Sequence, residues 1–129
     1  MRLGALLRAA GVADPAMPAD SDSPEVAGVA HDSRQVGTGD VFCCIPGASH
    51  DGHDFAAAAV RAGACAVVGE RPLDLPVPTV VVPSVRPTMA LLAAAVHGWP
   101  SHQLELVGVT GTNGKTSVVH LLTSILAID

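Results

Sequence analysis

Basic residues are scarce. Lysine and arginine total 7 against 12 aspartates and glutamates, a net charge of −5 over 129 residues. A protein that coats DNA or RNA needs a basic face, so this balance argues against a nucleic-acid partner. Aromatics are nearly missing: Phe42, Phe55 and Trp99 are the whole set, too few for a platform on which single-stranded bases stack. Cysteine is sparse too. Cys43, Cys44 and Cys65 are odd in number and two are adjacent, which is not a disulfide framework. Neighbouring cysteines on a strand point to opposite faces and do not share a metal as a CxxC pair does. Buried free thiols in a reducing cytoplasm are the plainer expectation. Long apolar runs are also missing. The longest, Met89 to Val96, is far short of a membrane span, and the N-terminal stripe is broken by Arg8 and too short for a signal-peptide core. These absences point to a soluble, cytoplasmic protein without membrane or nucleic-acid partners. Nor is there an internal repeat or a low-complexity tract.

What is present is a core and an alternation. Apolar residues make up 49% of the chain, and its length suits one ordinary domain. Leu3 to Ala10 reads as a short helix ended by Gly11. Residues 13–25, rich in Pro, Asp and Ser, read as loop. Strands are expected at Ala27 to Ala30, Val41 to Ile45, Cys65 to Val68, Thr79 to Val82 and Leu104 to Val109. Between them lie a helix capped by Asp54 and ended by Gly63, and a second capped by Ser84 with Pro87 in its first turn. A last helix starts near Gly114, with Val118, Leu121, Leu122 and Ile125 at helical spacing. Strands alternating with helices make the class α/β. The stretch "WPSHQ" is the best linker. It divides residues 1–100, a small α/β domain, from residues 101–129, which read as the first strand, loop and helix of a larger domain.

Within that last segment stands "GVTGTNGKTS", Gly108 to Ser117. A strand, a glycine-rich turn and a helix opening at Gly-Lys-Thr is the layout of a phosphate cradle. The general pattern G-x-x-x-x-G-K-[ST] is incomplete, because Val109 stands where its first glycine belongs. The shorter G-T-N-G-K-T resembles the ATP loop of the Mur ligases and of their relatives, the folylpolyglutamate and cyanophycin synthetases. Upstream, Asp32-Ser33-Arg34, then Gly39-Asp40-Val41-Phe42, then Gly47 to Phe55, then Gly63-Ala64 resemble the N-terminal domain of the tripeptide-synthetase, or MurE-type, branch. The resemblance runs from about residue 26 to 129.

It implies a ligase of peptidoglycan synthesis. The activity implied is ATP-dependent addition of a third amino acid, meso-diaminopimelate or L-lysine, to UDP-N-acetylmuramoyl-L-alanyl-D-glutamate, with Mg²⁺ as the metal. The substrate carboxylate is phosphorylated and the incoming amine displaces phosphate. Carried over residue by residue, His31 and Ser33 at the D-S-R turn and Ala48, Ser49 and His50 in the following loop contact the UDP-sugar. Gly111, Thr112, Asn113, Gly114, Lys115, Thr116 and Ser117 take ATP, with Lys115 on the β/γ-phosphates and Thr116 on Mg²⁺. No catalytic residue beyond Lys115 is expected, and the chain is read as a monomeric N-terminal fragment, inactive alone. Arg34 reads as a structural partner of Asp32 or Asp40. His50 and His53 stand three apart beside carboxylates, but no third clustered ligand follows, so metal is the weaker reading. A MurF-type ligase shares the D-S-R and D-G-H elements, and a non-catalytic nucleotide-sugar-binding module remains a third possibility.

Overall fold

In Asp40-Val41-Phe42-Cys43 every residue but the first is buried, as expected of a strand covered on both faces. The computed structural model, which describes residues 1–12 and 23–127, places this strand, β2 (Asp40–Cys43), inside a four-stranded parallel sheet. Its neighbours are β1 (Gly28–Ala30) and β3 (Ala66–Gly69), and β4 (Thr79–Val81) lies beyond β3, in the order β1-β2-β3-β4. The register pairs Val29 with Val41, Phe42 with Val67, and Val68 with Val80. Of the stretch expected as loop, residues 13–22 lie outside the described residues.

Side-chain alternation divides the core into two layers. Val41, Cys43, Ala66, Val68 and Val80 pack with Leu3, Leu6 and Leu7 of α1 (Leu3–Ala9) and with Leu92 and Ala95 of α3 (Val85–Val96). Phe42, Cys44 and Val67 face the other way, onto Ala56 and Ala59 of α2 (Ala56–Ala62). The adjacent cysteines therefore do lie on opposite faces, both buried and both free. Gly63 ends α2 with φ +116, and a Cβ there would sit 3.0 Å from the Thr38 Cα, so both conformation and space require glycine.

Two helix starts differ from the expected ones. Asp51, not Asp54, caps the segment before α2, accepting from the His53 N–H at 3.0 Å, and a 3-10 turn over Gly52–Phe55 comes before the helix. The Ser84 side chain makes no cap on α3. Glu70 supplies it from the end of β3, its Oε1 accepting from the Val85 N–H at 2.9 Å. A local pattern names a capping residue type but does not exclude a better acceptor brought in by the fold.

The largest correction concerns Leu104 to Val109. The segment forms no strand in the sheet, because a strand is defined by its ladder partner and none lies beside it among the described residues. Its side chains are open: Leu104, Leu106 and Val107 are 63%, 71% and 70% exposed. The final helix, α4 (Lys115–Leu126), forms as expected, yet Leu121 and Ile125 are also exposed. Before it, Trp99 takes a left-handed conformation at φ 56 and opens a 3-10 turn over Pro100–His102, so "WPSHQ" is ordered rather than featureless. Among the described residues no helix is long and apolar enough to cross a membrane.

Candidate functional site

In an open parallel sheet the carboxyl ends of neighbouring strands leave a crevice where ligands bind. Here β1 runs into the turn His31-Asp32-Ser33-Arg34, and β2 runs into the loop Pro46 to Asp51. Because β1 and β2 are parallel neighbours, both loops emerge at the same edge. They enclose a cavity of about 480 Å³ lined by His31, Asp32, Ser33, Arg34, His50 and Phe55. Three of the residues singled out from the sequence, His31, Ser33 and His50, thus come together. Ala48 and Ser49 are exposed in the β2 loop but do not line the cavity. Phe55 was not foreseen. It stands edge-on to His50, ring centres 6.3 Å apart, and gives the cavity an aromatic wall.

Arg34 is held by its neighbour. Its Nε donates to Asp32 Oδ1 at 2.9 Å and its Nη2 to Asp32 Oδ2 at 2.6 Å, while its own backbone N–H donates to Oδ1 at 3.0 Å. The Arg34 side-chain bond holds the Asp32 carboxyl down at about 2 and raises the guanidinium in turn. Asp40, the other partner considered for Arg34, instead accepts from the Gly37 N–H at 2.8 Å. The turn therefore offers a fixed ion pair, an exposed His31 and a half-buried Ser33 whose hydroxyl can both donate and accept.

His53 is not an open metal ligand. Its Nε2 accepts from the Glu70 N–H at 2.9 Å, which places the ring proton on Nδ1, 2.5 Å from Asp51 Oδ1. Asp51 Oδ2 pairs with Arg71 at 2.9 Å. The Asp51 carboxyl is drawn below its ordinary value, first by the His53 backbone N–H and then by the His53 ring. Among the described residues no three His, Cys, Asp or Glu side chains gather as metal ligands would.

The glycine-rich loop lies in the other region. Gly111 and Gly114 have φ +152 and +78, and nothing would meet a Cβ at Gly114 within 4 Å, so its need for glycine is conformational rather than steric. Lys115 Nζ donates to the Gly111 carbonyl at 2.6 Å and ties the loop to the helix start. The first helical bond runs from the Val118 N–H to the Gly114 carbonyl at 3.0 Å. That leaves the N–H groups of Lys115, Thr116 and Ser117 outside the ladder at the positive end of the α4 dipole. Thr112, Asn113, Thr116 and Ser117 are all exposed around them. This donor set fits a polyphosphate, and the Thr116 hydroxyl fits a magnesium ligand.

The model of the "Mur ligase family, catalytic domain" matches residues 25–103, well over half the chain. A UDP-N-acetylmuramoyl-L-alanyl-D-glutamate–2,6-diaminopimelate ligase of Geobacillus thermodenitrificans is 52% identical over 100 residues, 78% of this chain and 20% of the relative. One of the same name from Halalkalibacterium halodurans is 50% identical over 104 residues, 81% of this chain and 21% of the relative. The chain thus spans about a fifth of the length of these relatives. Among solved structures, MurF of Acinetobacter baumannii superposes with a TM-score of 0.72 at 28% identity, covering 98% of this chain and 27% of that one. MurF ligase of Thermotoga maritima, solved with ADP, gives 0.62 at 33% identity over 78% of this chain and 23% of that one. The chain belongs to the Mur ligase family.

Proposed function

We propose that this chain is the nucleotide-sugar-binding part, with the opening of the ATP-binding part, of a MurE-type ligase. The reaction of that enzyme joins a diamino acid, meso-diaminopimelate or L-lysine, to UDP-N-acetylmuramoyl-L-alanyl-D-glutamate in the cytoplasm. The observation that carries the reading is the convergence of the β1 and β2 loops, with His31, Ser33 and His50, on one cavity at the carboxyl edge of the sheet. Residues 1–100 form the substrate domain and residues 101–129 open the ATPase domain. Sequence favours this branch over MurF, since diaminopimelate ligases reach 52% identity and the MurF structures 28% to 33%.

Each residue then has a physical task. His31 and His50 flank the cavity and suit an anionic diphosphate, as donors when neutral and as charges when protonated. Ser33 gives a hydroxyl that bonds a uracil edge or a phosphate without charge cost. Ala48 and Ser49, on the exposed part of the loop, lie over the bound sugar nucleotide. Gly111 to Ser117 take the phosphates of ATP on backbone N–H groups, Lys115 adds a positive charge, and Thr116 holds Mg²⁺. ATP supplies the activation of the substrate carboxylate. Calorimetric titration of the 129-residue chain with UDP-N-acetylmuramoyl-L-alanyl-D-glutamate tests the reading. Saturable binding that weakens roughly tenfold in Ser33→Ala, a loss of about 1.4 kcal/mol, is expected. Absence of binding by a folded chain would remove the assignment of this cavity.

A further inference from the structure

The cavity has one wall whose placement is not explained by its own loop. His50 and Phe55 sit on either side of Asp51-Gly52-His53-Asp54. Within itself the loop is tied by the Pro46–Asp51 bridge and by the Gly47 N–H to the His50 carbonyl at 3.0 Å. Gly52 and His53, within that stretch, bring it against the sheet.

Gly52 is pressed against β2. Its N–H donates to the Ile45 carbonyl at 3.0 Å, and a Cβ would lie 2.5 Å from the Ile45 nitrogen, so no other residue fits without moving the backbone. His53 is 6% exposed and lies against the end of β3, where a Cβ on Gly69 would come within 2.9 Å of Nε2. One ring nitrogen holds the loop through Asp51, and the other holds the sheet through the Glu70 N–H. Glu70 carries the chain onward, accepting from the Val85 N–H at the start of α3. Arg86, one residue on, returns to the loop, its Nη2 reaching the Pro46 carbonyl at 3.4 Å. Arg71 closes a second side by pairing with Asp51 at 2.9 Å and Asp54 at 3.8 Å. The result is a closed ring of polar contacts from the loop to β3, to α3 and back.

We infer that His53 is a positioning residue for the nucleotide-sugar cavity, setting the place of the His50–Phe55 wall by bridging Asp51 to the Glu70 backbone. It touches no ligand itself; its two nitrogens are both engaged. The inference deepens the substrate reading above and rests on it for the identity of the ligand. Buried networks of this kind specify one geometry when every member is satisfied, and here both ring nitrogens are.

The test separates position from stability and from ligand identity. His53→Gln keeps an acceptor near the Nε2 place, His53→Asn keeps a donor near the Nδ1 place, and His53→Ala keeps neither. Binding of UDP-N-acetylmuramoyl-L-alanyl-D-glutamate is titrated well below each melting temperature, and NMR of the unliganded chain follows the ring resonances of His50 and Phe55. His53→Ala is expected to shift both sets of resonances and to weaken binding roughly tenfold, with Gln and Asn between it and the wild type. If His53→Ala does not fold, the Gln and Asn variants carry the comparison. Folded variants with unmoved ring resonances and wild-type affinity overturn the inference. A wild-type chain that leaves the sugar nucleotide unbound overturns the substrate reading instead, and the ring resonances still decide whether His53 sets the wall.

Discussion

The sheet unit and the segment from Leu104 to Ala127 use the same residue types to opposite ends. In the first, Phe42, Val67, Val68 and Leu92 are fully buried. In the second, Leu106, Leu121, Ile125 and Leu126 are 71%, 64%, 63% and 72% exposed. Both contain an extended apolar stretch followed by a helix. Only in the first does each extended stretch have a parallel neighbour, with the central strands β2 and β3 covered by helices on both faces. The glycine-rich loop and α4 keep their local form without such packing, since glycine conformations and helical hydrogen bonds act over a few residues. The strand does not, because every ladder hydrogen bond it makes has its partner in another strand. The cavity at the carboxyl edge therefore rests on a packed scaffold, and the glycine-rich loop rests on local geometry.

The comparison makes a direct prediction about stability. Phe42→Ala leaves a void between β2 and α2 and is expected to cost about 3–5 kcal/mol in urea unfolding. Leu106→Ala and Leu126→Ala remove side chains already in water and are expected to stay within about 0.5 kcal/mol of the wild type. A tail substitution as costly as the core one would show that residues 104–127 share the core's cooperative unit.

Legibility from sequence follows the same divide. All four strands of the sheet were readable from apolar runs between turn signals, and Gly11 and Gly63 marked helix ends through their left-handed backbone, φ +70 and +116. Of the cavity, His31 and Ser33 were readable at the D-S-R turn and His50 in the stretch after Gly47, through the family resemblance. Phe55 was not, because its role depends on a contact with His50 across the turn. Glu70 was invisible as the cap of α3, since acceptor and donor are fifteen residues apart and meet only once β3 is in place. Leu104 to Val109 failed for the converse reason: the pattern was that of a strand, but a pattern carries no partner.

The thiols sharpen the contrast, because all three cysteines lie in the sheet unit. Burial pushes Cys43 and Cys44 up to about 12 from an ordinary 9.0, and Cys65 upward as well. The folded state thus holds these protons more tightly than the unfolded one. The associated stability is complete below pH 9.0 and is lost as pH rises from there towards 12. Two results are expected. Iodoacetamide at pH 8 leaves Cys43 and Cys44 unmodified in the native chain and reaches them in urea. The melting temperature falls more steeply above pH 9 in the wild type than in Cys43→Ala/Cys44→Ala. Equal alkylation of native and unfolded chains would mean that the sheet opens as readily as the tail.

The smallest effect belongs to the cavity rim and tells which region it follows. Asp51 is held as a carboxylate by the His53 N–H, the His53 ring and Arg71, so its folded value lies below the ordinary 3.8. Its contribution to stability is present above that value and is lost as pH falls through the lowered one. Asp32 behaves the same way over the interval from 3.8 down to about 2, chiefly through Arg34. The two differ in what they anchor. Asp32 ties one turn to itself, whereas Asp51 joins the loop to β3 through a buried ring. Melting curves from pH 7 to pH 2 should show Asp51→Asn starting below the wild type and converging with it in acid, as the wild type surrenders the same interaction. Asp32→Asn should differ less at every pH, because an exposed ion pair within one turn adds little. If the Asp51→Asn curve ran parallel to the wild type throughout, the rim would be held by its backbone bridge alone, and the loop would stand energetically with residues 104–127 rather than with the sheet that carries it.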